Sequence, residues 1–245
     1  MTSSAKRKPD FGRLASSYDQ LRPADDNWWE LFDLLVREGD LRGRRVLDVG
    51  AGTGQLAAAL AERAAGRVWA VDPSPEMLEV ARRRVPDGVG LKQGAAEALP
   101  FKDGWFERTV TRLSLHLWDR PRAFAELRRV GERSILATFD PAHFSGYWLN
   151  ELFPSIERID RARFPDGETL ERELLGAGFD DVRLVRLSQR GAISREQALV
   201  KIRGRHISTF DLLDEAELEA GRARAERELP ERVEYALEWL LAVAG

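Results

Sequence analysis

The stretch Val46-Leu47-Asp48-Val49-Gly50-Ala51-Gly52-Thr53-Gly54-Gln55 constrains this chain more than any other part of it. It reads as a short apolar strand that passes through three closely spaced glycines straight into a helix-forming segment. Without Cβ atoms the backbone there can come within contact distance of a ligand. In open α/β sheets such a turn lies at the carboxyl end of a strand, beside the switch in strand order where cofactors bind.

The surrounding pattern agrees with such a sheet. β-type runs at 46–49, 68–71, 89–91, 106–111 and 134–139 alternate with helical stretches at 56–65, 75–84 and 121–130. Parallel strands need crossovers, and repeated βα units of this length predict a Rossmann-like doubly wound α/β fold with helices on both faces. Before the first strand, Phe11, Leu14, Ala15 and Tyr18, then Trp28, Leu31, Phe32 and Leu35, fall at helical spacing and predict two helices broken at Arg22-Pro23. After residue 140 an aromatic, proline-broken segment at 141–165 precedes a helix at 168–175, a strand at 182–187 and helices at 195–203 and 215–228. The tail at 233–239 alternates well enough for a strand, with a helix as the competing reading.

Composition narrows the function classes. The chain has 245 residues, a size for one well-filled domain, and its net charge of -3 gives no coherent basic surface for nucleic acid. Its apolar runs are far shorter than a bilayer span. Residues 1–10 hold basic residues without an apolar segment behind them, so they read as a disordered leader and not a secretion signal. The absence of cysteine rules out disulfides, thiolate metal ligands and a cysteine nucleophile, and agrees with a reducing, cytoplasmic setting. No metal site, nucleic-acid partner or membrane partner is expected.

Spacing within the loop sharpens the ligand. A dinucleotide fingerprint needs glycine where Gln55 stands, and no lysine follows to cradle a phosphate. Asp48, two residues before Gly50, would repel a pyrophosphate but suits an ammonium such as that of a methionine moiety. Asp72 ends the next strand about 20 residues past the loop, the position of a carboxylate that binds ribose hydroxyls. Pro73 and Ser74 then open a helix that places Met77 to lie against a flat base.

These segments, together with Gln93-Gly94-Ala95-Ala96-Glu97-Ala98-Leu99-Pro100-Phe101, resemble the successive motifs of class I S-adenosylmethionine-dependent methyltransferases, nearest the ubiquinone/menaquinone-biosynthesis-like branch. The resemblance runs from about Phe11 to Phe139. It implies a seven-stranded sheet, mostly parallel, whose antiparallel last strand would be 233–243. It also implies S-adenosylmethionine as cofactor and S-adenosylhomocysteine as product. Asp48 and Gly50 would hold the methionine part, Asp72 the ribose, and Met77 and Ala96 the adenine, with Ala51, Gly52, Gln55, Pro73, Ala95 and Glu97 completing the cofactor site. Ala95 stands where the family usually has an Asp that receives the adenine amino group, so backbone near Ala96 and Glu97 would have to serve. The segment Thr111-Arg112-Leu113-Ser114-Leu115-His116 would border the cofactor, chiefly through Thr111 and Leu113, and face the substrate, and Tyr18-Asp19 and Arg22-Pro23 belong to a pattern like the family's N-terminal lid. Gly131-Glu132-Arg133 replaces the family's customary lysine-proline-glycine-glycine turn.

The division expected from this is a helical lid at residues 1–40, a cofactor-binding core at 41–140, and a substrate-side insert with the last strands at 141–245, all in one domain. The methyl acceptor is expected to be a small molecule, and the protein a monomer or homodimer. His116, after the fourth strand, is the candidate general base because imidazole titrates near neutrality, with packing as the competing role. His143 is a weaker candidate, and His206 reads as structural. Phe139, Phe144, Tyr147, Trp148 and Phe153 either roof an apolar pocket or pack the insert on the sheet. Two rival readings remain: an NAD(P)-dependent oxidoreductase, against which Gln55 argues, and a non-catalytic S-adenosylmethionine-binding protein.

Overall fold

The structure is a computed structural model that describes Gly12 and residues 15–245. The leader expected at residues 1–10, and the apolar positions Phe11 and Leu14, lie outside the described residues. Helices α1 (Tyr18–Leu21) and α2 (Asp26–Glu38) separate at Arg22-Pro23, where proline offers no amide donor and restricts the residue before it. Asp25 caps α2 by accepting the Trp28 backbone N–H, which satisfies one of the orphan donors of the first turn.

Five strands run parallel: β1 (Arg45–Val49), β2 (Arg67–Asp72), β3 (Gly90–Gln93), β4 (Phe106–Arg112) and β5 (Gly131–Phe139). Helices α3 (Gln55–Arg63), α4 (Pro75–Arg84) and α5 (Arg120–Val130) lie in the crossovers. The full sheet has seven strands in the order β3-β2-β1-β4-β5-β7-β6, where β6 spans Val182–Ser194 and β7 spans Arg232–Ala244. Strand β7 is antiparallel to both neighbours, so the last strand takes the expected direction, and the helical alternative for the tail fails. Asp48 pairs with Ala70 on one side and Val110 on the other. The winding therefore reverses at β1 and β4, which opens a crevice at their carboxyl ends.

Both faces of the sheet are covered. Val46 packs into the layer under α2 and α3 with Leu31, Leu35 and Leu60, while Leu47 packs into the layer with Phe106, Phe124 and Leu127 on the opposite side. Successive side chains of a strand point to opposite faces, so an unbroken apolar run is what a doubly covered strand requires. Helix α7 (Gly167–Gly176) adds Leu170 and Leu174 to the second layer.

The strand expected at 182–187 runs on to Ser194, a correction with consequences for the site. Strand β5 meets β7 only from Trp239 to Ala244, so the first half of β7 and the second half of β6 continue past the end of β5 as a two-stranded ribbon. Residues 188–194 show little apolar alternation because this ribbon is held by partner backbone and not by a buried face. Helices α6 (Ser155–Arg161), α8 (Arg195–Arg203) and α9 (Glu215–Glu228) build a separate small core with Leu149, Phe153, Ile202 and Phe210. Among the described residues, no helix is long and apolar enough to cross a membrane.

Candidate functional site

The glycine loop sits at the mouth of the crevice. Gly50, Gly52 and Gly54 have φ of 72°, 55° and 75°, the left-handed region that side chains disfavour. At Gly50 a Cβ would lie 2.6 Å from Ser114 Oγ, so the loop after β4 could not approach. At Gly52 a Cβ would meet nothing within 4 Å, so that face of the loop is open space. The Gly50 and Ala51 N–H groups donate to the Val71 carbonyl at 2.9 and 3.1 Å, and Gln55 begins α3.

Asp72 is buried and held rigidly. Its Oδ2 accepts the Gly52 N–H at 2.8 Å and its Oδ1 accepts the Ser74 N–H at 2.9 Å, so each oxygen keeps a lone pair for a ligand hydroxyl. Ser74 caps α4 through the Met77 N–H; Met77 is buried and Pro73 exposed. Asp48 is only 1% exposed, and its Oδ2 has no partner among the described residues. Burial, then repulsion from Asp72, pushes its carboxyl up to about 7, against the Ala57 N–H and the Arg112 charge that favour the ionised form. An unpartnered buried carboxyl beside a second acid is a receptor for a cation.

Beyond β3, Ala95 pairs with Ala98, Ala96 is buried, and Glu97 Oε1 accepts the Asp119 N–H at 2.8 Å. Thr111 is buried in β4 and shares a hydroxyl hydrogen bond with Ser114. Leu113 takes φ of 53°, a conformation that costs a leucine about 1–2 kcal/mol and is characteristic of residues held for function. Its N–H donates to the Ala137 carbonyl at 2.9 Å.

Helix α1 is tied to the loop by the side chains of Asp19, Thr53 and Arg84. Asp19 Oδ1 accepts the Thr53 hydroxyl at 2.7 Å, and Arg84 donates to the other Asp19 oxygen and to the Thr53 carbonyl at 3.2 Å. No sequence signal marks Arg84, which is one of three consecutive arginines at the end of α4.

Two chambers lie beyond the crevice. The smaller, about 50 Å³, has Tyr18, Arg22, Leu113 and all three of the chain's histidines in its wall. His116 stacks on Phe164 at 4.2 Å and His143 on Phe139 at 4.2 Å. His206, read from sequence as structural, lines the chamber too: its Nε2 lies 3.4 Å from Tyr147 Oη and its Nδ1 lies 3.1 Å from the Lys201 carbonyl oxygen. It is placed there by the turn after α8, a tertiary arrangement with no local signature. Burial, then the charges of Arg163 and Arg22, holds the His116 imidazole well below its usual range; burial brings His143 to about 4 and, with Arg22 and Lys201, lowers His206 as well. All three rings are neutral near pH 7.

The larger chamber is about 520 Å³ and shares Arg22, Leu113, Tyr147 and His206 with the smaller. Tyr235 and Leu237 of the ribbon, with Trp239 at its base, form part of its wall. The aromatic run divides between the two expected roles. Phe139, Phe144, Tyr147 and Trp148 line chambers, whereas Phe153 is fully buried in the small core of the cap.

The methyltransferase domain family matches residues 46–133. An uncharacterized methyltransferase of Mycobacterium bovis is 40% identical over 120 residues, 49% of this chain and 46% of that protein, so the match spans about half the relative's length. The ubiquinone/menaquinone biosynthesis C-methyltransferase UbiE of Bordetella parapertussis is 32% identical over 210 residues, covering 73% of this chain and 81% of the relative. Among solved structures, an Anabaena variabilis protein provisionally named a methyltransferase from an antibiotic biosynthesis pathway has a TM-score of 0.71 at 22% identity, covering 87% of this chain and 96% of its own. Phospholethanolamine N-methyltransferase 2 of Haemonchus contortus, solved with phosphomonomethylethanolamine and S-adenosylhomocysteine, has a TM-score of 0.60 at 19% identity, covering 96% of this chain and 60% of its own. These two likenesses concern the fold.

Proposed function

Because the chain belongs to the class I S-adenosylmethionine-dependent methyltransferases, near their ubiquinone/menaquinone-biosynthesis branch, we propose that it transfers the methyl group of S-adenosylmethionine to a small aromatic molecule. One convergence carries this reading: the open face of Gly52, the unpartnered buried Asp48 Oδ2 and the fixed Asp72 carboxylate are neighbours toward the carboxyl ends of β1 and β2. Their donor and acceptor chemistry fits an ammonium and a ribose. The aromatic walls of the chamber beyond suit a ring-bearing acceptor, a class also named in relatives that act on quinone precursors.

In this reading Asp48, Gly50, Ala51, Gly52 and Gln55 hold the methionine part, Asp72 and Pro73 the ribose side, and Met77, Ala95, Ala96 and Glu97 surround the adenine. Thr111 and Leu113 separate cofactor from acceptor, residues 1–40 act as a lid through Tyr18 and Arg22, and residues 141–245 supply the acceptor side. When bound, S-adenosylmethionine supplies an electrophilic methyl on a sulfonium, open to in-line displacement. The chain's own work is alignment and exclusion of water. His116, neutral and facing the small chamber, receives the acceptor's proton where the acceptor carries one, with His143 as the alternative. Calorimetric binding of S-adenosylmethionine and NAD(P) tests the assignment: saturable NAD(P) binding with no S-adenosylmethionine binding overturns it.

The elevated Asp48 carboxyl has a measurable consequence. An ammonium requires the ionised form, so affinity for S-adenosylhomocysteine rises with pH through about 7, and each pH unit below costs up to about tenfold. Asp72, Arg112 and the Ala57 N–H are the groups that set this titration. Asp48→Asn flattens the profile; an unaltered slope in that variant excludes Asp48.

The tie between α1 and the loop predicts a second effect. Asp19→Ala leaves Thr53 and Arg84 without their shared acceptor, and with S-adenosylhomocysteine bound, trypsin cleavage near α1 speeds several-fold. Equal cleavage rates in wild type and variant would show that Asp19 does not hold the lid.

A further inference from the structure

Arg112 ends β4 with its guanidinium between two indoles, 5.9 Å from the Trp28 ring centre and 5.6 Å from that of Trp239. Its Nε is buried without a hydrogen-bond partner, and among the described residues no carboxylate forms an ion pair with it. Burial lowers its pKa to about 10; Tyr18, Asp25 and Asp48 counteract this from a distance and Arg22 adds to it. Cation–π contact offsets only part of the cost of removing such a charge from water. The other two cations of the larger chamber already have acceptors: Arg22 donates to the His206 carbonyl at 2.8 Å, and Lys201 donates to the Leu21 carbonyl. Among the described residues Arg112 is thus the chamber's uncommitted cation, and its planar fork matches the two oxygens of a carboxylate.

Trp28 and Trp239 flank it, and the space of about 520 Å³ beside it is lined by further flat rings, Trp148 and Tyr235, and also by the acidic side chains of Asp25 and Glu196. A one- or two-ring acid fits that volume, and the chamber continues past Leu113 and Tyr147 toward the histidines. We propose that Arg112 binds the carboxylate of an aromatic acid and that this ion pair selects the methyl acceptor. The inference rests on the transferase reading above and adds the acceptor's charge to it. The amino-acid tail of the methyl donor carries a carboxylate of the same chemistry, so the test must separate the two sources.

The full chain, saturated with S-adenosylhomocysteine, is titrated with benzoate, 4-hydroxybenzoate and 2-naphthoate and with the matching carboxamides, read by calorimetry. At least one acid is expected to bind, with its carboxamide at least tenfold weaker. At about pH 9, where Asp48 is ionised with or without Arg112, Arg112→Met is expected to weaken that acid at least tenfold, to leave S-adenosylhomocysteine within twofold, and to keep or raise the thermal midpoint, because a half-buried unpaired charge has been removed. Arg112→Lys, which keeps the charge and loses the fork, is expected to fall between them and serves if the methionine variant does not fold. Equal binding of acid and amide, no acid binding at all, or acid binding unaltered by both variants overturns the proposal. So does loss of S-adenosylhomocysteine in Arg112→Met with 5′-methylthioadenosine unaffected, which would assign the guanidinium to the donor's carboxylate. Failure of the wild type to bind S-adenosylhomocysteine would sink the transferase reading itself, whereas failure of the acids alone sinks only this step.

Discussion

Gly52→Leu is expected to fold and to lose S-adenosylmethionine. At φ of 55° the new side chain costs about 1–2 kcal/mol of backbone strain, which a chain of this size tolerates with a thermal midpoint lowered by a few degrees. Nothing lies within 4 Å of its Cβ, so no protein atom need shift to accommodate it. The leucine would instead fill the space in front of Asp72, whose Oδ2 accepts the Gly52 N–H. Affinity for S-adenosylhomocysteine should fall by at least about a hundredfold, since a ligand cannot share that volume. A variant with normal circular dichroism and wild-type affinity would place the ligand elsewhere.

Asp72→Ala should weaken S-adenosylhomocysteine binding by about 1.5–3 kcal/mol, roughly 10- to 150-fold, through lost charge-assisted hydrogen bonds. Part of that loss would come from the loop, because the carboxylate also anchors the Gly52 and Ser74 N–H groups. Ligand chemistry separates the two contributions. If Asp72 grips the ribose, removing a hydroxyl from the ligand and removing the carboxylate from the protein are strongly non-additive, as partners in one contact must be. Additive losses for 2′-deoxy-S-adenosylhomocysteine and Asp72→Ala would reduce Asp72 to a loop anchor.

The cofactor side was legible in the linear chain because its information is local. Gly50, Gly52 and Gly54 must adopt conformations that other residues avoid, and Asp48 and Asp72 stand at strand ends whose spacing follows from one βα unit. The acceptor side was not. His206 carried no periodic or spaced signal, and Arg112 only its place in the segment after the fourth strand, yet both line the larger chamber; Arg84, which no motif marks, ties α1 to the loop.

By itself the amino-acid order determined the doubly wound sheet, the direction of its last strand once the family resemblance is admitted, and the crevice beside the glycines. Hydrophobic period and glycine backbone freedom act over a few residues, so they survive in one dimension. Only the tertiary structure decided that β6 and β7 outrun β5, that three histidines from distant segments line one chamber, and that Arg112 lies half-buried against two indoles with no acid paired to it among the described residues. Those outcomes depend on long-range pairing and on which side chains remain unpartnered after packing, and neither is recorded in any short stretch of the chain.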